Sequence, residues 1–206
     1  MRGAGFFRAP AAAQLRAFQD SEDGAMGLSA ADIIRMLSLS PLPEEGGFFR
    51  ETHRSSLKLP ARVLPPVYSG SRHAATAIYY LLTAETRSLI HRLPGEEVFH
   101  FYLGDPVEMI QLFPGGKALR VLIGSDLEKG MEPQRVVPAG VWQGARLVPG
   151  GNFALLGTTM APGFEFGDFE IGDRTLLLRQ FPEHADLICA LTEEGNPGAG
   201  ARGGKP

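Results

Sequence analysis

The stretch that decides the fold is IHRLPGEEVFHFYLGDP, residues 90–106. Two β-prone runs, RSLIHRL (87–93) and EEVFHFYL (96–103), flank Pro94-Gly95, a dipeptide that marks a turn. Read as a hairpin, the turn lays the two runs side by side. Side chains alternate faces along a strand. His91 and Leu93 then share one face, as do Glu97, Phe99 and Phe101. His91 and Glu97 are thereby expected to project into one barrel interior. His100 has the opposite parity from Glu97 and points away unless a bulge intervenes.

The pattern continues on both sides. AATAIYYLLT (74–83) is a buried strand by its apolar, β-forming run, and one of Tyr79 and Tyr80 must look inward. GGFFRETHRS (46–55) alternates, with Phe49, Glu51 and His53 on one face and Phe48, Arg50 and Thr52 on the other. PVEMIQLF and KALRVLIG, joined by Pro-Gly-Gly, read as a hairpin. QRVVPAGVWQGARLV and FALLGTTMAPGFEF resume the strand pattern. DLICALT (186–192) reads as a last strand, although the longer RTLLLRQFPEHADLICAL can also begin as a helix. Ahead of the strands, LSAADIIRMLSL (28–39) predicts a short helix. Ser29 is its cap, Asp32 sits in its first turn, and Ile33, Ile34 and Leu37 form its apolar stripe. About nine or ten short strands without βαβ alternation predict an all-β fold. The expected architecture is two packed antiparallel sheets in a jelly-roll barrel.

The 206-residue length suits a single domain, here 27–192, with an extension at 1–26 and a disordered Gly-rich tail at 193–206. The opening MRGAGFFRAPAAAQLRAF has arginines and no acid, as a transit peptide does; a plain upstream extension, with Met26 as the natural start, is the other reading. A net charge of −3 without a basic stripe offers nothing to nucleic acid. No apolar stretch approaches a membrane helix. The single cysteine, Cys189, excludes an internal disulfide, is expected to be buried, and points to a reducing, cytoplasmic setting. His53 and His73 lie near loops and are expected to be exposed.

The spacing around the opening stretch resembles the first motif of the cupin superfamily: His-x-His, three residues, Glu, six residues, Gly. His91, Leu93, Glu97 and Gly104 stand at those positions. The second motif, Pro-x-Gly, two residues, His, has Pro138 and Gly140 in place and Gln143 where the histidine would stand. LPEEGGFFRET, TAIYYLLT, HRLPGEEVFHFYLGDPVEM, VPAGVWQGARL and MAPGFEFGDFE together are similar to the uncharacterised cupin-5 family, over about residues 32 to 186. The resemblance implies a double-stranded β-helix (RmlC-like jelly roll), commonly a homodimer, with no agreed reaction. Cupin metal sites use three imidazoles and one carboxylate. Leu93 and Gln143 replace two of those imidazoles, which leaves His91, Glu97 and the weak donor Gln143 as the set for any divalent metal. No cofactor is expected.

The ligand expected in the barrel is a small polar or acidic organic molecule. His91 and Glu97 are the candidate acid/base pair of a metal-independent isomerase or epimerase. Arg50, Glu51, Tyr79, Phe99, Gln143 and Phe164 are candidate ligand contacts. Two alternatives stand beside this: a non-catalytic binding or sensor protein, and a metal-dependent dioxygenase or lyase. APGFEFGDF (161–169) is either a pocket rim with an aromatic wall or a plain surface loop. Trp142 packs outside the barrel if Gln143 faces in.

Overall fold

The computed structural model describes residues 27–194. The expected extension and all but the start of the expected tail lie outside the described residues. Helix α1 (Ala30–Leu37) forms where its capping box predicts. Ser29 Oγ accepts from the Asp32 amide and Asp32 Oδ2 accepts from the Ser29 amide, each at 3.2 Å. These two bonds satisfy donors that a helix start otherwise leaves unpaired.

Thirteen strands follow among the described residues, four of them only two residues long: β1 (Ser40–Pro41), β2 (Phe48–Arg54), β3 (Lys58–Leu59), β4 (Arg72–His73), β5 (Thr76–Thr83), β6 (Arg87–Arg92), β7 (Glu97–Gly104), β8 (Val107–Leu112), β9 (Ala118–Ile123), β10 (Gln134–Val137), β11 (Trp142–Leu147), β12 (Phe153–Met160) and β13 (Glu170–Ile171). They build a six-stranded sheet, β1-β2-β5-β12-β7-β10, and a five-stranded sheet, β13-β6-β11-β8-β9, each antiparallel throughout, with β3-β4 a small separate pair. The two large sheets face each other as a jelly-roll barrel. Tyr80, Leu82, Phe99, Ala154 and Leu156 meet Val107, Met109, Ala145 and Leu147 between them.

The opening stretch is not a hairpin. β6 pairs with β11 and β13, whereas β7 pairs with β12 and β10. Leu93-Pro94-Gly95-Glu96 instead carries the chain from one sheet to the other. Each strand already has a partner on both sides, so no edge is left for β6 and β7 to share. His91 and Glu97 therefore stand on opposing walls of the barrel. The expected β8–β9 hairpin forms, with Val107 opposite Ile123 and Leu112 opposite Ala118.

The last expected strand is helical. Helices α2 (Arg174–Gln180) and α3 (Ala185–Ala190) close the domain. Leu177 and Phe181, then Leu187 and Leu191, repeat at four residues, which is helical spacing. With Ile188 they pack on Ile90, Ile110 and Leu112, on the outer face of the five-stranded sheet. Cys189 falls on the other side of α3 and is exposed rather than buried. On the opposite sheet, α1 lays Ile33, Ile34 and Leu37 over Leu81 and Leu155.

A bulge shifts β2. Its register against β5 slips between Glu51 and His53, and an extra residue reverses the facing of those beyond it. Phe49 and Glu51 keep the inner face, but Arg54 succeeds them there in place of His53, which is exposed. His73 is half-buried, not exposed, and its Nδ1 lies 2.6 Å from the Ser55 carbonyl oxygen.

Candidate functional site

Three polar side chains meet inside the barrel: His91 from β6, Gln143 from β11 and Glu97 from β7. His91 and Gln143 are each 1% exposed and Glu97 is 8% exposed. Gln143 Nε2 donates to Glu97 Oε2 at 2.7 Å and lies 3.3 Å from His91 Nε2. His91 Nδ1 is 2.8 Å from the Leu89 carbonyl oxygen, which can only accept, so Nδ1 carries the ring proton. In the neutral ring Nε2 is then an acceptor, and one amide nitrogen serves both neighbours. His91 and Glu97 share no hydrogen bond, and the Gln143 amide bridges them. The cost of that geometry is Gln143 Oε1, which is buried without a partner. Turning the amide over would satisfy this oxygen only if Glu97 or His91 Nε2 offered it a proton. The orientation of the amide is thus tied to the protonation of its partners.

Burial raises the pKa of Glu97 above the ordinary carboxylate value, and the nearby Glu45 carboxylate raises it further. His91, Thr158 and Gln143 pull the other way. Above Glu97 opens a cavity of about 80 Å³. Glu45, Glu51, Arg54 and Thr158 are among its polar lining residues, and Leu93, Met160, Phe49, Phe164, Phe166 and Phe169 are among its apolar ones. The 161–169 segment is therefore a rim with an aromatic wall. Two arginines tie it down. Arg72 grips Asp168 in an ion pair whose partners are only 6% and 7% exposed. Arg54 bonds Glu165 at 2.8 Å and Glu51 at 2.8–3.2 Å. Phe169 stacks on His91 with ring centroids 4.8 Å apart, and it stands between His91 and the cavity.

The candidate residues divide accordingly. Glu97, Glu51 and Phe164 line the cavity, while His91 and Gln143 lie behind it. Phe99 is packed in the core below Glu97. Arg50 and Tyr79 lie on the outer face of the six-stranded sheet, where the Arg50 guanidinium sits 5.5 Å from the Tyr79 ring centre and Tyr79 meets Tyr102 edge to face. Tyr80 is the inward tyrosine, and its hydroxyl donates to the Gly46 carbonyl at 3.0 Å. His100 points away, toward Gln134 and Thr159. Trp142 packs against the C-terminal helices with Arg92 over its ring.

Glu45 and Thr158 belong to the site although sequence reasoning passed over them. Ser88 Oγ donates to Glu45 at 2.7 Å. The signal for Glu45 was the pair of glycines after it. A Cβ on Gly46 would lie 2.4 Å from the Arg87 carbonyl oxygen, so only glycine lets this loop lie so close to β6.

The model of the cupin-5 family, described as cupin superfamily (DUF985), matches residues 31–172. The chain belongs to this family. A similar curated relative is the uncharacterized protein YML079W of Saccharomyces cerevisiae, 31% identical over 159 residues that make up 71% of this chain and 78% of that protein. Two solved structures are also similar. A hypothetical protein from Leishmania major has a TM-score of 0.72 at 30% identity, covering 81% of this chain and 100% of that one. Protein SO0799 from Shewanella oneidensis has a TM-score of 0.71 at 32% identity, covering 81% and 99%. The function of the family is uncharacterised, and the fold is a cupin barrel. Cupins often hold a metal, but the donor set here fits one poorly. Leu93 offers no donor, and Gln143 offers at best one neutral amide oxygen where an imidazole would stand. Among the described residues no three His, Cys, Asp or Glu side chains group as metal ligands do, and no helix is long and apolar enough to cross a membrane.

Proposed function

We propose that this cupin binds a small polar organic molecule in its barrel and moves a proton on it without a metal, as an isomerase or epimerase does. The observation that carries the reading is Glu97, a buried carboxyl group with a raised pKa on the wall of a cavity. A carboxyl group tuned upward toward neutral pH both accepts and returns a proton effectively. As carboxylate, Glu97 takes a proton from a carbon beside a carbonyl, and the electron pair moves into the enolate. As carboxylic acid it returns the proton, on the same face, to the neighbouring carbon while the substrate's hydroxyl proton passes to the former carbonyl oxygen. An epimerisation would need a second acid on the opposite face. Gln143 holds Glu97, and His91 positions Gln143. The aromatic rim flanks the reacting carbon, and the Glu97 proton exchanges with solvent between its removal and its return.

Solvent exchange tests this. Sugars and small hydroxyketones that bind the protein are incubated with it in deuterated water and followed by proton NMR. The reading expects deuterium at the acidic carbon, with the rate falling at least ~100-fold in Glu97→Gln. Bound compounds that never exchange, or a Glu97→Gln protein that exchanges at the original rate, refute it. One observation favours a second reading, a binding or sensor protein without turnover: Phe169 separates His91 from the cavity, so His91 has no direct contact with a ligand.

A further inference from the structure

The cavity is short of positive charge. Glu45, Glu51 and Glu97 line it against one guanidinium, Arg54. Arg54 is already engaged by Glu51 and Glu165 at the rim. Deeper in, Glu45 is held by the Ser88 hydroxyl and Glu97 by the Gln143 amide, both neutral groups. Among the described residues no ion pair includes Glu45 or Glu97. Glu97 is nine-tenths buried, and the two carboxyl groups are near enough for Glu45 to disfavour the charge on Glu97. An anionic ligand would add a further like charge to a partly desolvated space. A cationic ligand would offset the charges already there.

The remaining wall narrows the kind of cation. Four phenylalanines, Phe49, Phe164, Phe166 and Phe169, line the same space. Aromatic faces attract organic cations, especially where water is excluded. A hard metal ion instead needs about six or more oxygen ligands, and phenyl rings supply none. We infer that the cavity selects a small organic molecule bearing a protonated amine, with Glu45 and Glu97 as the acceptors of its N–H groups. The phenylalanine rings surround its carbon frame. This rests on the ligand-binding half of the proposed function and not on proton transfer. It narrows the polar or acidic ligand expected from the sequence to one that is polar and basic.

A matched series tests the charge alone. Ethanolamine, ethylene glycol and glycolate are of similar size and present a cation, a neutral group and an anion. Binding is read at neutral pH by calorimetry and by NMR shifts of the Gln143 side-chain amide and the Phe169 ring. Ethanolamine is expected to bind at least ~10-fold more tightly than ethylene glycol, and glycolate more weakly than either. Glu45→Gln and Glu97→Gln should each erase most of that preference for ethanolamine over ethylene glycol, and circular dichroism reports whether the variants are folded. The inference is overturned if ethanolamine does not bind, if glycolate or ethylene glycol binds as well, or if both folded variants keep the preference. Should a variant fail to fold, the three-probe comparison on the unaltered protein still decides. Amine binding without deuterium exchange would remove the isomerase reading and leave this one. Exchange on a neutral ligand without any amine preference would do the reverse.

Discussion

The barrel interior has two halves built from the same strands. β5 places Tyr80 and Leu82 in the packed half and Thr76 at the cavity. β12 gives Ala154 and Leu156 to the first, Thr158 and Met160 to the second. β7 divides between Phe99 and Glu97, two residues apart. Within the six-stranded sheet, position along each strand decides which half a residue serves, and no strand of the five-stranded sheet lines the cavity. Carbon fills one half at close-packed density. The other half keeps polar groups and a void, and must be held open by something other than core packing. Arg72–Asp168 supplies that from outside the cavity and Arg54–Glu165 from its wall, both by fastening the rim.

Changes of matched intent in the two halves can break this contrast. The largest effect belongs to Leu156→Ala. Leu156 has no exposed surface, and such truncations cost about 2–5 kcal/mol. The urea midpoint should fall with an unchanged slope. A loss below about 1 kcal/mol would mean that this half is not close-packed. Arg72→Ala comes next. It strands Asp168 without its buried partner, at a cost of about 3 kcal/mol. Hydrogen exchange should quicken first in residues 161–169. Destabilisation with no local change there would show that the pair supports the whole barrel rather than the rim.

The smallest effect is in pH dependence. Glu97 has a raised folded-state pKa, so the folded protein binds its proton more tightly than the unfolded chain does. Its contribution to stability is full below the ordinary unfolded carboxylate value. It is lost as pH rises through the raised folded value. Urea midpoints should therefore decline over that window, and Glu97→Gln should flatten the decline. A slope unchanged by that variant would remove Glu97 from the account.

How much of this was legible depends on what each residue had to specify. The helix start was readable because Ser29 and Asp32 act locally. The inward facing of His91, Glu97 and Gln143 was readable because parity along a strand is local too. The assignment of strands to sheets was not. Pro94-Gly95 says that the chain turns, but nothing in the dipeptide says that it crosses to the opposite wall. The bulge in β2 was equally hidden, and a single extra residue moved Arg54 into the place expected of His53. DLICALT is apolar and short, a run that suits a strand or a buried helix equally until its packing partners are known.

One bond described above has a consequence for the barrel as a mechanical object. Gln143 belongs to the five-stranded sheet and Glu97 to the six-stranded sheet, so their 2.7 Å hydrogen bond is a stitch across the interior at its hollow end. A ligand that takes Glu97 Oε2 for itself undoes that stitch, and a proton that turns the Gln143 amide reties it. Stiffness and occupancy at this end of the molecule therefore draw on the same bond. A change that tightens the empty barrel there does so by making it harder to fill.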